Sequence, residues 1–103
     1  MIEELFSIFE RSKGQSDNCW KQVNILINTI PEKYKPIIRR IYHKSNLFNN
    51  NIFYCEHVCS ESFTQHFVVE VENYIFDLKL DNPISTKKYL KLAYLNYNDL
   101  LIS

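Results

Sequence analysis

His66-Phe67-Val68-Val69-Glu70-Val71-Glu72-Asn73-Tyr74-Ile75-Phe76-Asp77-Leu78 is the stretch on which the fold turns. Two runs rich in β-branched and aromatic residues flank Glu72-Asn73, and Asn tolerates the left-handed backbone of the shortest hairpin loop. A two-residue turn there pairs Val71 with Tyr74, Val69 with Phe76 and Phe67 with Leu78, an apolar face that belongs in a core. The other face pairs Glu70 with Ile75, Val68 with Asp77 and His66 with Lys79. His66 and Asp77 then share an outward face as diagonal neighbours, within reach of each other. A four-residue loop keeps this parity, whereas a three-residue loop separates the two. Strand propensity disfavours Asp inside the apolar run Tyr74 to Leu80, which marks Asp77 for some task other than folding. The bland alternative is a polar face that happens to carry a histidine and an aspartate.

The rest of the chain divides around this hairpin. Upstream, Ile2, Leu5, Phe6 and Phe9 recur at helical spacing over residues 2 to 12, and Gly14 follows as a left-handed stop. A polar loop, Gln15 to Asn18, leads into a second helix that Ser16, Asp17 or Asn18 can cap. Its apolar stripe is Trp20, Val23, Ile27 and Ile30, and Pro31 ends it. Pro36 suits the first turn of a third helix with Ile37, Ile38, Ile41 and Tyr42 on one face. Asn46 to Asn51 is a loop. Ile52 to Cys59 reads as a strand, Ser60 to Thr64 as a loop, and His66 to Val71 and Tyr74 to Leu80 as two more strands. Asn82-Pro83 breaks the sheet, and Ser85 or Thr86 caps a last helix through Tyr89, Leu90, Ala93, Tyr94 and Tyr97. The order predicts an α+β domain: N-terminal helices packed on a small antiparallel sheet at about 52–80, then a helix at about 86–97. No linker or repeat interrupts residues 1–103, so one domain is expected.

Composition narrows the classes of function. Apolar residues make up 46% of the 103 and aromatics 15%, with a single glycine, as in a globular chain. Twelve basic residues balance twelve acidic ones, and the only basic clusters are the pairs Arg39-Arg40 and Lys87-Lys88, so no nucleic acid is expected as a partner. No apolar run is long enough for a membrane span, and no signal-peptide pattern opens the chain. It reads as soluble and unprocessed, or as one domain of a longer protein. Three cysteines are too few and odd in number for a disulfide framework, which points to a reducing, cytoplasmic site of action.

Cys19 falls at the start of the second predicted helix, where free N–H groups and the helix dipole favour a thiolate. A nearby imidazolium would favour it further. The competing view is a small buried residue on the stripe Cys19, Val23, Leu26, Ile30. Position after a polar loop favours the nucleophile. A thiol at a helix start, a histidine on one strand and an aspartate on the next make a Cys19-His66-Asp77 triad. Glu70, further along the face of His66, and Trp20, beside the thiol, are candidate supporting residues, though a solvated strand charge is the plainer reading of Glu70. Cys55, His57 and Cys59 alternate on one predicted strand and suggest three zinc ligands, with His43 or His66 as fourth. The spacing is not that of a zinc knuckle or ribbon, so neither a metal nor another cofactor is expected. His57 ranks second to His66 as the base because no aspartate follows it at comparable spacing. Tyr89, Tyr94 and Tyr97 read as aromatic packing before a recognition surface.

At these residues the sequence resembles the papain-like cysteine hydrolase superfamily. Gln15 followed by Cys19-Trp20 is similar to the papain pattern of a glutamine shortly before Cys-Trp, although the spacing is shorter. His66-Phe67-Val68-Val69 and Tyr74-Ile75-Phe76-Asp77 resemble the His and Asp strands of bacteriocin-processing peptidases, transglutaminase-like proteins and compact bacterial papain-fold toxins. The toxins are nearest in size and layout, including the Pro83-Ile84 segment and the helix after it. The resemblance implies a papain-like fold and a thiol hydrolase or acyltransferase, either a peptidase or a glutamine deamidase or transglutaminase, with Gln15 or Asn18 joining the Cys19 N–H as oxyanion donors. It further implies a protein or peptide substrate, a cognate immunity protein as partner, and delivery from another bacterium within a larger protein. The alternative is a non-catalytic α+β interaction module that binds through a sheet edge or the tyrosine-bearing helix. Substrate loops would come from Asn46 to Asn51 and Ser60 to Gln65.

Overall fold

The computed structural model describes residues 2–47 and 52–103. It is an α+β fold: two helices, an antiparallel sheet and a C-terminal helix. Helix α1 (Ile2–Ser12) buries Leu5, Ile8, Phe9 and Ser12, an i, i+3, i+4, i+7 stripe. Helix α2 (Cys19–Thr29) buries Gln22, Val23 and Leu26, and Ile30 closes the stripe before Pro31. Trp20, expected on that stripe, is 49% exposed; Gln22, Val23 and Leu26 are the buried residues of α2, with Ile27 packed at the core margin.

The principal sheet has the order β6 (Ile84–Ser85), β5 (Tyr74–Phe76), β4 (Gln65–Val71), β1 (Ile37–His43), β7 (Leu100–Ile102), with every neighbouring pair antiparallel. Strand β1 (Ile37–His43) lies where the sequence predicts a third helix. Ile37, Ile38, Ile41 and Tyr42 satisfy a helical spacing, but β-branched and aromatic side chains favour the pleated backbone. Pairing on both edges decides the matter, with Arg39 opposite Val68 in β4 (Gln65–Val71) and Tyr42 opposite Leu101 in β7 (Leu100–Ile102). The predicted strand Ile52 to Cys59 shrinks to β2 (Cys55–Glu56), paired with β3 (Ser62–Phe63) inside what reads as a loop. Strand β5 (Tyr74–Phe76) follows β4, and β6 (Ile84–Ser85) edges the sheet ahead of helix α3 (Thr86–Ala93). Of the predicted loop at 46–51, residues 48–51 lie outside the described residues. No helix among the described residues is long and apolar enough to cross a membrane.

The hairpin has the two-residue turn, with Glu72 (φ 53) and Asn73 (φ 66) both left-handed, the type I′ requirement. Val71 faces Tyr74, Glu70 faces Ile75 and Val69 faces Phe76. Val69, Val71, Phe76 and Leu78 pack on the α1 and α2 core, with Phe67 and Tyr74 at its margin. The other face does not look outward. Val68 and Ile75 join Ile41, Cys55, Tyr89, Ala93, Tyr94 and Leu100 in a second core beneath α3. His66 and Asp77 are accordingly buried, at 0% and 2% exposure.

The β5 strand ends sooner than the sequence suggests, and Asp77 is the cause. Its Oδ1 accepts the Lys79 N–H at 3.0 Å and its carbonyl accepts the Leu80 N–H at 2.9 Å, which turns the chain out of the sheet. The expected pairs Phe67–Leu78, Val68–Asp77 and His66–Lys79 therefore do not form.

Candidate active site

The early exit of β5 leaves a gap beside β4. In a two-residue hairpin the main-chain groups of Val71 and Val69 point toward β5, and those of Phe67 point the same way. With β5 gone, the Phe67 N–H has no ladder partner, and it lies near the Cys19 thiol, where it favours the thiolate. The start of α2 thus brings a thiol to the part of β4 that β5 leaves unpaired.

Local chemistry delivers Cys19 to that gap. Asn18 caps α2, its Oδ1 accepting from Trp20 N–H at 3.0 Å and Lys21 N–H at 3.1 Å. The Asn18 carbonyl takes the Gln22 N–H, and the Asn18 N–H donates to Ser16 Oγ. Among the described residues, the Cys19 N–H is the one donor at this helix end without a partner, and it sits next to the thiol. The preceding loop is pinned twice, by Gln22 Nε2 on the Ser16 carbonyl at 2.6 Å and by Lys79 Nζ on the Asp17 carbonyl. Lys79 also pairs with Glu61 at 3.1 Å.

Cys19 lies against His66, whose Nε2 is 3.2 Å from Asp77 Oδ1. With Nε2 on the carboxylate, Nδ1 is the nitrogen left for the thiol. Neither ring nitrogen has a well-aligned hydrogen bond, so the contact with Asp77 is chiefly ionic. Phe63 stacks on the His66 ring with centroids 4.5 Å apart and covers it.

Asp77 is enclosed by donors. Oδ2 receives the Tyr89 hydroxyl at 2.7 Å and His57 Nε2 at 2.9 Å, while Oδ1 receives Lys79 N–H and faces His66. Tyr94 completes the chain at 3.1 Å from the Tyr89 hydroxyl, and donates to it because the Tyr89 proton is committed to Asp77. His57 is fully buried, and its Nδ1 accepts the Cys59 N–H at 3.3 Å. That bond leaves the ring proton on Nε2, pointing at Asp77.

The electrostatics follow from these contacts. His66, the Phe67 N–H and the charge of Lys79 draw the Cys19 thiol below its ordinary range, against the opposing effect of burial. Burial alone would lower His66, but the Asp77 charge and the contact with Cys19 outweigh it and raise His66 to about 9. Burial opposes the charge on Asp77, yet His66 and His57 hold its carboxyl well below the usual range. The other two thiols move the opposite way. Burial pushes Cys55 up to about 11 and raises Cys59 as well.

The remaining candidates separate. Gln15 Nε2 donates to the Arg11 carbonyl at 2.9 Å, holding the end of α1, and Asn18 serves as the cap. Trp20 sets its edge on Phe67 at 5.2 Å. Glu70 binds Arg39 at 2.6 Å and the Thr86 hydroxyl; four residues from His66 along β4, roughly 13 Å, it can neither tune that ring nor count as a solvated charge. The alternating zinc set is absent, since Cys55 Sγ turns to the Ile41 carbonyl and Cys59 is exposed. A different trio, His57, His66 and Asp77, does bring ligand atoms within 4.8 Å of one another. It does not suit a cation. A metal-bound imidazole donates its other N–H to an acceptor, whereas the other nitrogen of His57 faces a donor. The expectation that Tyr89 and Tyr94 are packing residues is met, but both hydroxyls also enter the polar network.

Sequence reasoning missed the link from His57 to Asp77, and Tyr89, Lys79 and Phe63 as members of the site. Lys79, a second charge two residues after Asp77 in the apolar run Tyr74 to Leu80, is the one local signal. Comparison with protein-family models, curated proteins and solved structures finds no match to this chain.

Proposed function

We propose that the chain is a thiol-dependent amide hydrolase or acyltransferase that uses Cys19, His66 and Asp77. The observation that carries the reading is the thiol itself. It lies beside His66 and the Phe67 N–H at the start of α2, and is the one thiol of three drawn toward the thiolate. In the reaction, Cys19 Sγ bonds to the carbonyl carbon and the carbonyl electron pair moves to oxygen, facing the free Cys19 N–H. Collapse breaks the C–N bond, and the amine leaves with the proton from His66. Water then attacks the thioester, giving its proton to His66, and releases the carboxylic acid and the thiolate. Asp77 stays ionised and balances the imidazolium.

Within this chemistry the substrate is a peptide bond or a glutamine carboxamide of a protein. A papain-like toxin effector role, with a cognate immunity protein, rests on the resemblance of Gln15, Cys19-Trp20, His66-Phe67-Val68-Val69 and Tyr74-Ile75-Phe76-Asp77. Exposed Tyr54, Val58, Leu92 and Leu95 favour the second reading, a binding module. Expression in a bacterial cytoplasm separates the two. A toxin enzyme arrests growth and leaves new protein N-termini (peptidase), glutamines heavier by about 1 Da (deamidase) or new isopeptide links (transglutaminase), all lost in Cys19→Ala. Growth arrest undiminished in Cys19→Ala, with none of these products, would leave the binding module.

A further inference from the structure

Resting on the thiol reading above, we propose that His57 is a positioning residue for the site: it acts through Asp77, fixing the carboxylate so that Oδ1 is the oxygen offered to His66. The terminal torsion of an aspartate is broad, so a carboxylate anchored by one donor does not choose which oxygen it presents. Here Oδ2 is held by two donors from separate elements, His57 Nε2 at 2.9 Å and Tyr89 Oη at 2.7 Å. Oδ1 keeps one main-chain donor, Lys79 N–H at 3.0 Å, and its remaining acceptor direction is open to His66 at 3.2 Å.

The two histidines are not interchangeable in this arrangement. His57 has both ring nitrogens engaged, and its tautomer is set by the Cys59 N–H. His66 has both nitrogens poorly aligned and a thiol beside it. One ring is fixed at both nitrogens and holds the acid; the other, with neither nitrogen in a hydrogen bond, is the one beside the thiol. The lock has its own support. The His57 N–H donates to the Glu61 carbonyl at 2.8 Å, its carbonyl accepts from Ser60, it bridges Tyr94, and Phe63 and Tyr94 meet its ring edge-on.

The test follows the pH midpoint of Cys19 alkylation by iodoacetamide in the full chain, with thermal unfolding to verify folding. Wild type is compared with His57→Phe, which keeps a ring without a donor, with His57→Gln, which restores an N–H, and with Tyr89→Phe. A positioning role raises the midpoint in His57→Phe by about one pH unit, a rate loss near pH 6 of about tenfold, with most of it recovered in His57→Gln. Tyr89→Phe, which removes one donor from the same oxygen, shifts it in the same direction by less and carries the test if His57→Phe does not fold. An unmoved midpoint in folded His57→Phe, or an equal shift in His57→Gln, reduces His57 to packing and overturns the inference while the thiol reading stands. A wild-type Cys19 no faster than Cys59 removes both.

Discussion

The two ends of β4 present acid and base on the same face of the sheet, under different conditions. At the turn end, Glu70 meets Arg39 across β1 and takes the Thr86 hydroxyl, with side chains 15% and 23% exposed for the ion pair and strands on both sides. At the other end, the His66 and Asp77 side chains are each 1% exposed, and β5 has already left the sheet. A completed ladder leaves the first cluster to join elements together. An interrupted ladder frees a main-chain donor and admits a thiol at the second. Charge in the same sheet thus becomes structural or chemical according to whether the neighbouring strand continues.

Mutation should separate the two ends by the size of the loss. Asp77→Ala leaves Tyr89, His57 and an imidazolium buried without their acceptor, and should cost about 3–5 kcal/mol in urea unfolding. Arg39→Ala at the turn end should cost about 1 kcal/mol, the scale of a partly exposed pair. Equal losses would erase the distinction drawn between the ends.

A pH series sharpens the same contrast. Folding raises His66 from 6.5 to about 9, so its protonated form stabilises the fold. That contribution is fully present below pH 6.5 and is lost as pH climbs through 9, a change on the order of 3 kcal/mol. The stability of wild type relative to His66→Gln should therefore fall across this window. A flat difference would mean that folding does not favour the imidazolium.

Two smaller effects test how each end is shaped. Asn18→Ala removes the cap that presents Cys19 and should cost about 1 kcal/mol, measured by thermal unfolding. At the opposite end, Glu72→Asn puts a residue more tolerant of the left-handed region at φ 53 and should add about 0.5 kcal/mol. A destabilised Glu72→Asn would show that the glutamate side chain, rather than the turn backbone, matters there.

Much of the hairpin was legible because alternation and Glu72-Asn73 constrain the same register. Cys19 was legible as a helix start because the polar run before it supplies caps. Strand β1 was not, since Ile37, Ile38, Ile41 and Tyr42 fit both helix and strand until β4 and β7 are in place. Nor was the end of β5. Asp77 was read as a misfit within a strand, but its side chain forms the turn that ends the strand. His57 and Tyr89 reach Asp77 across 20 and 12 residues, and no local periodicity connects them.

The central claim is that the gap left by β5 holds an activated thiol. Brief iodoacetamide treatment of the folded chain at pH 6, read by peptide mass spectrometry, tests it most directly. Cys19, lowered by His66, should label at least about 100-fold faster than exposed Cys59 or buried Cys55, both of which are raised. Labelling of Cys19 no faster than that of Cys59 would contradict it.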